Sequence, residues 1–368
     1  MISLFDSIDN YHDHIRCTSP SDNPKDSVSC LSWLNDSIFA CSSWDSTIRI
    51  YQVNAGLNPS LTQESGSRYI TEDPCLSLAW ISPSQIIAGC VDNRLKLIDR
   101  ETGNITSFEE RPNHDDAISA VYWSDELRVI ISVSYDKSLK LWDIRSQKPL
   151  STLRLGGKPI CSDFNYSTLA LALHSEKIAM FRISEVHQNL NSKVFQVKSP
   201  FLQNENVTAI SLFKHDSVLG LSLGSECGRG YIGNPPQDLI NTAPRFLKDR
   251  FYYISHYSEE SSMKIVYPIT ALGMHPTFKT LFTAGSNGQV HFWNYESKKR
   301  CGSMLFKGNP VTRAKFNPSG AMIAYANGYD YSQGIQGSHL YENRIGVYVL
   351  KPEILAPENI ERSPIRRR

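Results

Sequence analysis

The sequence lacks a long apolar run, a paired-cysteine motif and any excess of charge of one sign. No stretch approaches the ~18 consecutive apolar residues of a membrane helix, so membrane insertion is not expected. The N-terminus, MISLFDSIDNYHDH, carries acidic residues and no apolar core, which does not fit a secretory signal. Lys and Arg number 38 against 37 Asp and Glu, for a net charge of +1. Nothing global therefore draws the chain to nucleic acid or to an anionic surface. None of the 8 cysteines forms a C-x-x-C pair, and zinc-ligand clusters are absent. Cys30, Cys75 and Cys161 fall inside apolar segments and are expected to be buried free thiols. H-E-x-x-H and phosphate-loop motifs are missing, and no metal or cofactor is expected. The glycine-rich run GSECGRGYIGN reads as a strand hairpin, whereas a phosphate cradle needs a loop that opens a helix.

What the sequence has instead is rhythm. Short apolar segments begin at Val28, Cys75, Ile118, Ile160, Val207, Ile269 and Val311, at intervals of 47, 43, 42, 47, 62 and 42 residues. A period of roughly 40–45 residues fits a propeller blade of four strands. Each start is followed by small residues, an Asp or Asn turn and an alternating strand, as in SSWDSTIRIYQV, GCVDNRLKLIDR, VSYDKSLKLWDI and GSNGQVHFWNY. Period-2 alternation marks half-buried strands, and Asp or Asn suits the turn between them. The expected fold is all-β, a seven-bladed propeller whose N-terminal and C-terminal strands pair to close the ring. Residues 1–24 supply the closing outer strand, 25–351 the propeller, 234–268 an insertion between blades five and six, and 352–368 a disordered basic tail.

Asp45, Asp92, Asp136 and Asn287 recur with the period, so they read as turn scaffold and not as catalytic carboxylates. Residues outside the rhythm are better functional candidates. YANGYDYSQGIQGSHLYENR and FYYISHY concentrate tyrosines in loops, where aromatic side chains anchor partners or stack on bases.

The units KDSVSCLSW, SSWDSTIRIYQV, NHDDAIS, YDKSLKLWDIRS, TAGSNGQVHFWN and FNPSGAMIAYANGYDYSQG resemble the WD-repeat family over about residues 20–350. Within it they resemble the nuclear-pore mRNA export factor and the spindle-checkpoint kinetochore propeller. FNPSGAMIAYANGYDYSQG leans to the export branch, IVYPITALGMHP to the checkpoint branch, and the export branch is favoured. The resemblance implies a non-catalytic adaptor that binds a GLEBS-type peptide across one face. The peptide belongs to a nucleoporin on the export branch and to checkpoint kinases on the other. Implied places are the nucleus and nuclear pore with a cytoplasmic pool, or the kinetochore. The propeller itself is expected to be monomeric.

The resemblance also implies residue roles. Arg229, His256, Tyr329, Asp330 and Tyr331 match partner-binding positions. Asp45, Asp92, His114, Asp136, Trp142, Asn287 and Trp293 match a structural Asp–His–Trp network, left incomplete in blades one and two by Tyr51 and Ile98. Tyr257 and Gln333 stand where basic residues are usual, and a basic residue is missing near 203–209. RNA is a second, less favoured partner, because those losses reduce the phosphate-binding charge on this loop. A propeller hydrolase using the central channel is the reading from another class.

Overall fold

The computed structural model describes residues 14–355 except 57, 109–112, 146–147, 175–176, 189–194, 216–217, 236–249, 261–262, 307–308, 332–333, 335–336 and 338–340. Alternating segments become strands with one apolar side each. In Ser138–Asp143, SLKLWD, Leu139 and Leu141 are buried and Lys140 keeps partial solvent contact. A strand buried on one face must pack that face on a neighbour, and the blades do this pairwise around a ring.

Seven four-stranded antiparallel sheets result, one for each apolar start. The inner strands of blades one to seven are Val28–Trp33, Cys75–Ser82, Ile118–Ser124, Pro159–Asn165, Val207–His215, Ile269–Met274 and Val311–Phe316. Each packs against the inner strand of the next blade, and the last packs against the first. Hydrophobic clusters fill the spaces between blades. Phe39, Tyr51, Leu61 and Val347 join blades one and seven, and Leu141, Leu155, Leu171 and Phe181 join blades three and four.

Every inner strand carries the same irregularity. The register with its neighbour slips between the first and third residues, as between Val28 and Cys30 or between Val311 and Arg313. The residue left over often bonds sideways to the next blade. Ser29 Oγ donates to Cys75 O at 2.5 Å, and Thr208 Oγ1 donates to Ile269 O at 2.6 Å. The repeated bulge thus stitches the ring together close to its axis.

Closure uses the two ends of the described chain. His14–Arg16 pairs antiparallel with Arg344–Val349, so blade seven takes its outer strand from the N-terminal side. Ile15, 3% exposed, joins the cluster between blades seven and one.

Three features depart from the sequence reading. Cys75 and Cys90 are not free thiols. They are directly opposed in the first two strands of blade two and form a disulfide. The segment expected as a disordered tail begins with a helical turn, Pro352–Leu355, because Ile354 finds a buried place beside blades six and seven. Residues 356–368 lie outside the described residues. In the insertion, Phe251–Ile254 is the outer strand of blade five, as its aromatic sequence allows, and the departure is a separate two-stranded hairpin, Tyr257–Glu260 with Met263–Val266, that follows it.

Candidate functional site

Loops leading into the inner strands and turns between second and third strands emerge on one face of the ring, here called the top. The repeated acidic turn residues hold this face rigid. Blade three has the full network. Trp142 Nε1 donates to Ser132 Oγ at 2.8 Å, and Ser132 lies 2.7 Å from His114 Nε2. His114 Nδ1 lies 2.9 Å from Asp136. Burial lowers the His114 pKa, so the ring is neutral, accepts from Ser132 and donates to the carboxylate. Burial pulls the other way on Asp136, but Ser138, the Asp115 N–H and His114 together hold it at about 2.

Blades one and two solve the same problem with ion pairs. Asp45 binds Arg49 at 3.1 Å and Asp92 binds Lys96 at 2.8 Å. Tyr51 and Ile98 occupy the tryptophan place in these blades.

Blade six holds the main correction. His256, expected at the partner surface, is 0% exposed. Its Nδ1 lies 2.9 Å from Asn287 Oδ1 and its Nε2 lies 3.2 Å from Thr283 Oγ1, which accepts from Trp293 Nε1 at 3.3 Å. His256 is therefore this blade's counterpart of His114. Burial, only partly offset by these bonds, pushes its pKa down to about 4.

The turn before Arg229 packs on the backbone of the His256 segment. Gly228, before it, has φ +69°, and a Cβ there would come within 2.5 Å of His256 O. Ser255 N donates to Gly228 O at 2.8 Å, so the turn carrying Arg229 rests on the histidine segment. The Arg229 side chain is 40% exposed and pairs at 3.2 Å with Glu205, which is only 4% exposed. Glu205 belongs to the 203–209 segment that lacks the usual basic residue. It partly neutralises the arginine.

The tyrosine loop of blade seven is layered. Tyr329 is 3% exposed, stacks on Tyr341 with centroids 5.2 Å apart, and tilts against Tyr331 at 4.9 Å. Tyr331 is 40% exposed, has φ 58°, and donates from its hydroxyl to Asp26 at 2.8 Å. Partial burial and the Asp26 carboxylate raise its phenol to about 12, so it remains a donor at neutral pH. A tyrosine held in the left-handed region is a local strain fixed by its surroundings. Asp330 between the two rings is half-buried. Gln333 lies outside the described residues.

Trp44, at the turn of blade one, is a further exposed ring on this face. The sequence placed it inside a repeated unit, which hid it. The hairpin adds exposed Tyr257, Met263, Ile265 and Val266. At the seam of blades one and seven opens a cleft of about 1030 Å³, lined in part by Arg16, Lys25, Arg68, Tyr341 and Arg344.

Two motif spellings carry no chemistry. Gly220 to Gly224 reads G-x-S-x-G, but Ser222 is buried in the strand Val218–Ser225, not on an exposed strand-to-helix turn. Gly228 to Gly233 reads G-x-G-x-x-G but runs into the strand Arg229–Gly233.

The WD domain, G-beta repeat model (WD40) matches residues 10–52 and 105–143. The chain is 28% identical over 319 residues to a "Poly(A)+ RNA export protein" of Schizosaccharomyces pombe, covering 84% of each chain. It is 29% identical over 334 residues to an "mRNA export factor" of Xenopus tropicalis, covering 87% of this chain and 84% of the relative. A solved structure titled "Structure of U3-55K" superposes with a TM-score of 0.69 at 15% identity, over 92% of this chain and 99% of that one, and supports the fold alone. The repeats and the ring make the fold a WD40 propeller, and over most of its length the chain is similar to mRNA export factors.

Proposed function

We propose that this protein is a non-catalytic adaptor in mRNA export that binds an extended, acidic GLEBS-type segment of a nucleoporin across its top face. The observation that carries the reading is that exposed Arg229 and Tyr331 each have a buried support, Glu205 for the arginine, whose turn rests on the Ser255–His256 backbone, and the Tyr329 ring for the tyrosine. Such side chains lose little freedom on binding, so a flexible partner gains affinity from a preorganised surface. Arg229 keeps guanidinium N–H groups for a partner carboxylate beyond its contact with Glu205. The export names of the relatives support a role in mRNA export, and a nucleoporin is a more natural partner for that role than a checkpoint kinase.

Calorimetry with a synthetic GLEBS-type peptide tests the reading. Binding that falls more than tenfold in Arg229→Ala supports it, and unchanged binding overturns the site. The cationic cleft between blades one and seven favours a second contact, with single-stranded RNA. Filter binding that is lost in Arg68→Ala supports that contact.

A further inference from the structure

The third residue of each inner strand is small and uncharged in six blades: Cys30, Ser77, Ala120, Cys161, Ala209 and Ala271. In blade seven it is Arg313. The small residues leave room at this level, and the arginine reaches into it. Its Nε donates to Ser29 O at 2.7 Å and its Nη1 to Thr312 O at 2.7 Å. These contacts aim the guanidinium but supply no negative charge. Nη2 has no hydrogen bond among the described residues, and no carboxylate pairs with Arg313.

The groups that act electrostatically on Arg313 are Cys30, Tyr135 and Cys161, from blades one, three and four. Blade four lies across the ring from blade seven, so the guanidinium lies in the central channel, enclosed by the inner strands yet open to the solvent within it. Two residues further along the same strand, Lys315 faces the same space and acts electrostatically on Asp163 of blade four. The Asp163 carboxylate is itself committed, accepting from Leu212 N at 2.7 Å, and burial raises its pKa. At the top mouth, Lys158 lies over the Tyr135 ring at 4.6 Å. Asp116 pairs with Lys158 at that mouth, at 3.7 Å. Deeper in, the inner-strand residues Arg313 and Lys315 put two cations on one wall and face Asp163, which is already hydrogen-bonded. An enclosed charge without a counter-ion is costly, and an anion supplied from solution removes that cost.

We propose that the central channel binds a small oxyanion, a phosphate or sulfate group, with the Arg313 guanidinium as its main ligand and Lys315 as the second cation. The planar N–H fork suits a tetrahedral oxyanion. The phosphate is either free or part of a larger solute, and the chemistry at Arg313 is the same. This site is independent of the top-face peptide reading, and either can fail alone.

Inorganic phosphate titrated by calorimetry, with chloride fixed, tests it. Saturable binding that weakens at least tenfold in Arg313→Gln and is unchanged in Lys148→Gln, an exposed outer-strand position, is expected. Absence of saturable binding, or equal binding in Arg313→Gln, overturns the proposal. Should Arg313→Gln fail to fold, wild-type crystals soaked in tungstate decide: density against Arg313 supports the site, and density only elsewhere overturns it. Inositol hexakisphosphate as a second probe separates the sources. Tighter binding than phosphate points to a larger solute, and weaker binding to the free anion.

Discussion

The Nδ1 of His256 lies 2.9 Å from Oδ1 of Asn287, whereas the matching Nδ1 of His114 lies 2.9 Å from the carboxylate of Asp136. The geometry is shared and the charge is not. A carboxylate can stabilise an imidazolium and an amide oxygen does so far less, so both rings are neutral at rest but His256 has no charged partner to receive a proton against.

Acid should expose that difference. The unfolded His256 takes a proton near 6.5 and the folded one only near about 4. The contribution is complete above 6.5 and is lost as pH falls towards 4. A shift of that size is worth on the order of 3 kcal/mol. Urea midpoints should fall between pH 7 and pH 5, and Asn287→Asp, which supplies a carboxylate, should reduce the fall. Equal losses in both proteins would refute this account of His256.

Glu205 should restrain the neighbouring arginine. Glu205→Gln removes the charge that partly neutralises Arg229 and is expected to tighten binding of an acidic peptide several-fold, with a steeper salt dependence. Weaker binding would mean that the ion pair positions Arg229 more than it competes for it.

Tyr329 and Tyr331 should separate support from contact. Tyr329 is buried between two rings, so Tyr329→Ala is expected to cost about 3 kcal/mol of stability. Tyr331→Ala should leave thermal stability within about 1 kcal/mol and weaken peptide binding. A large drop in melting temperature for Tyr331→Ala would make both tyrosines loop packing.

The closing strand should matter beyond its three residues. Ile15→Ala is expected to cost roughly 2–5 kcal/mol, because Ile15 packs between blades seven and one. Deleting residues 1–16 exposes the edge of Arg344–Val349, and sedimentation should then show self-association. A monomer of unchanged stability would show that closure does not depend on this strand.

The ring was legible in the sequence because every inner strand must be apolar and every blade needs its turn. The role of His256 was not. His114 precedes its inner strand by four residues, but His256 precedes Ile269 by thirteen. The hairpin from Tyr257 to Val266 is inserted between them, and Tyr267 N returns to His256 O at 3.0 Å to close it. Distance along the chain concealed a constant position in space. Arg313 was hidden for the opposite reason, since it sits within the rhythm, and only comparison of equivalent places around the ring shows it to be the one charge at its level. The Cys75–Cys90 pair needed the strand register, which a sequence does not display.

Blade seven draws three strands from the end of the chain and one from its beginning. A ribosome releases His14–Arg16 well before Arg344–Val349, so the earlier strand waits unpaired while the other six blades are made. The ring cannot lock until the seventh blade has emerged, and a product truncated before it lacks the partner that would hide its first edge. Chaperone dependence should therefore be greatest for chains stopped within the seventh blade.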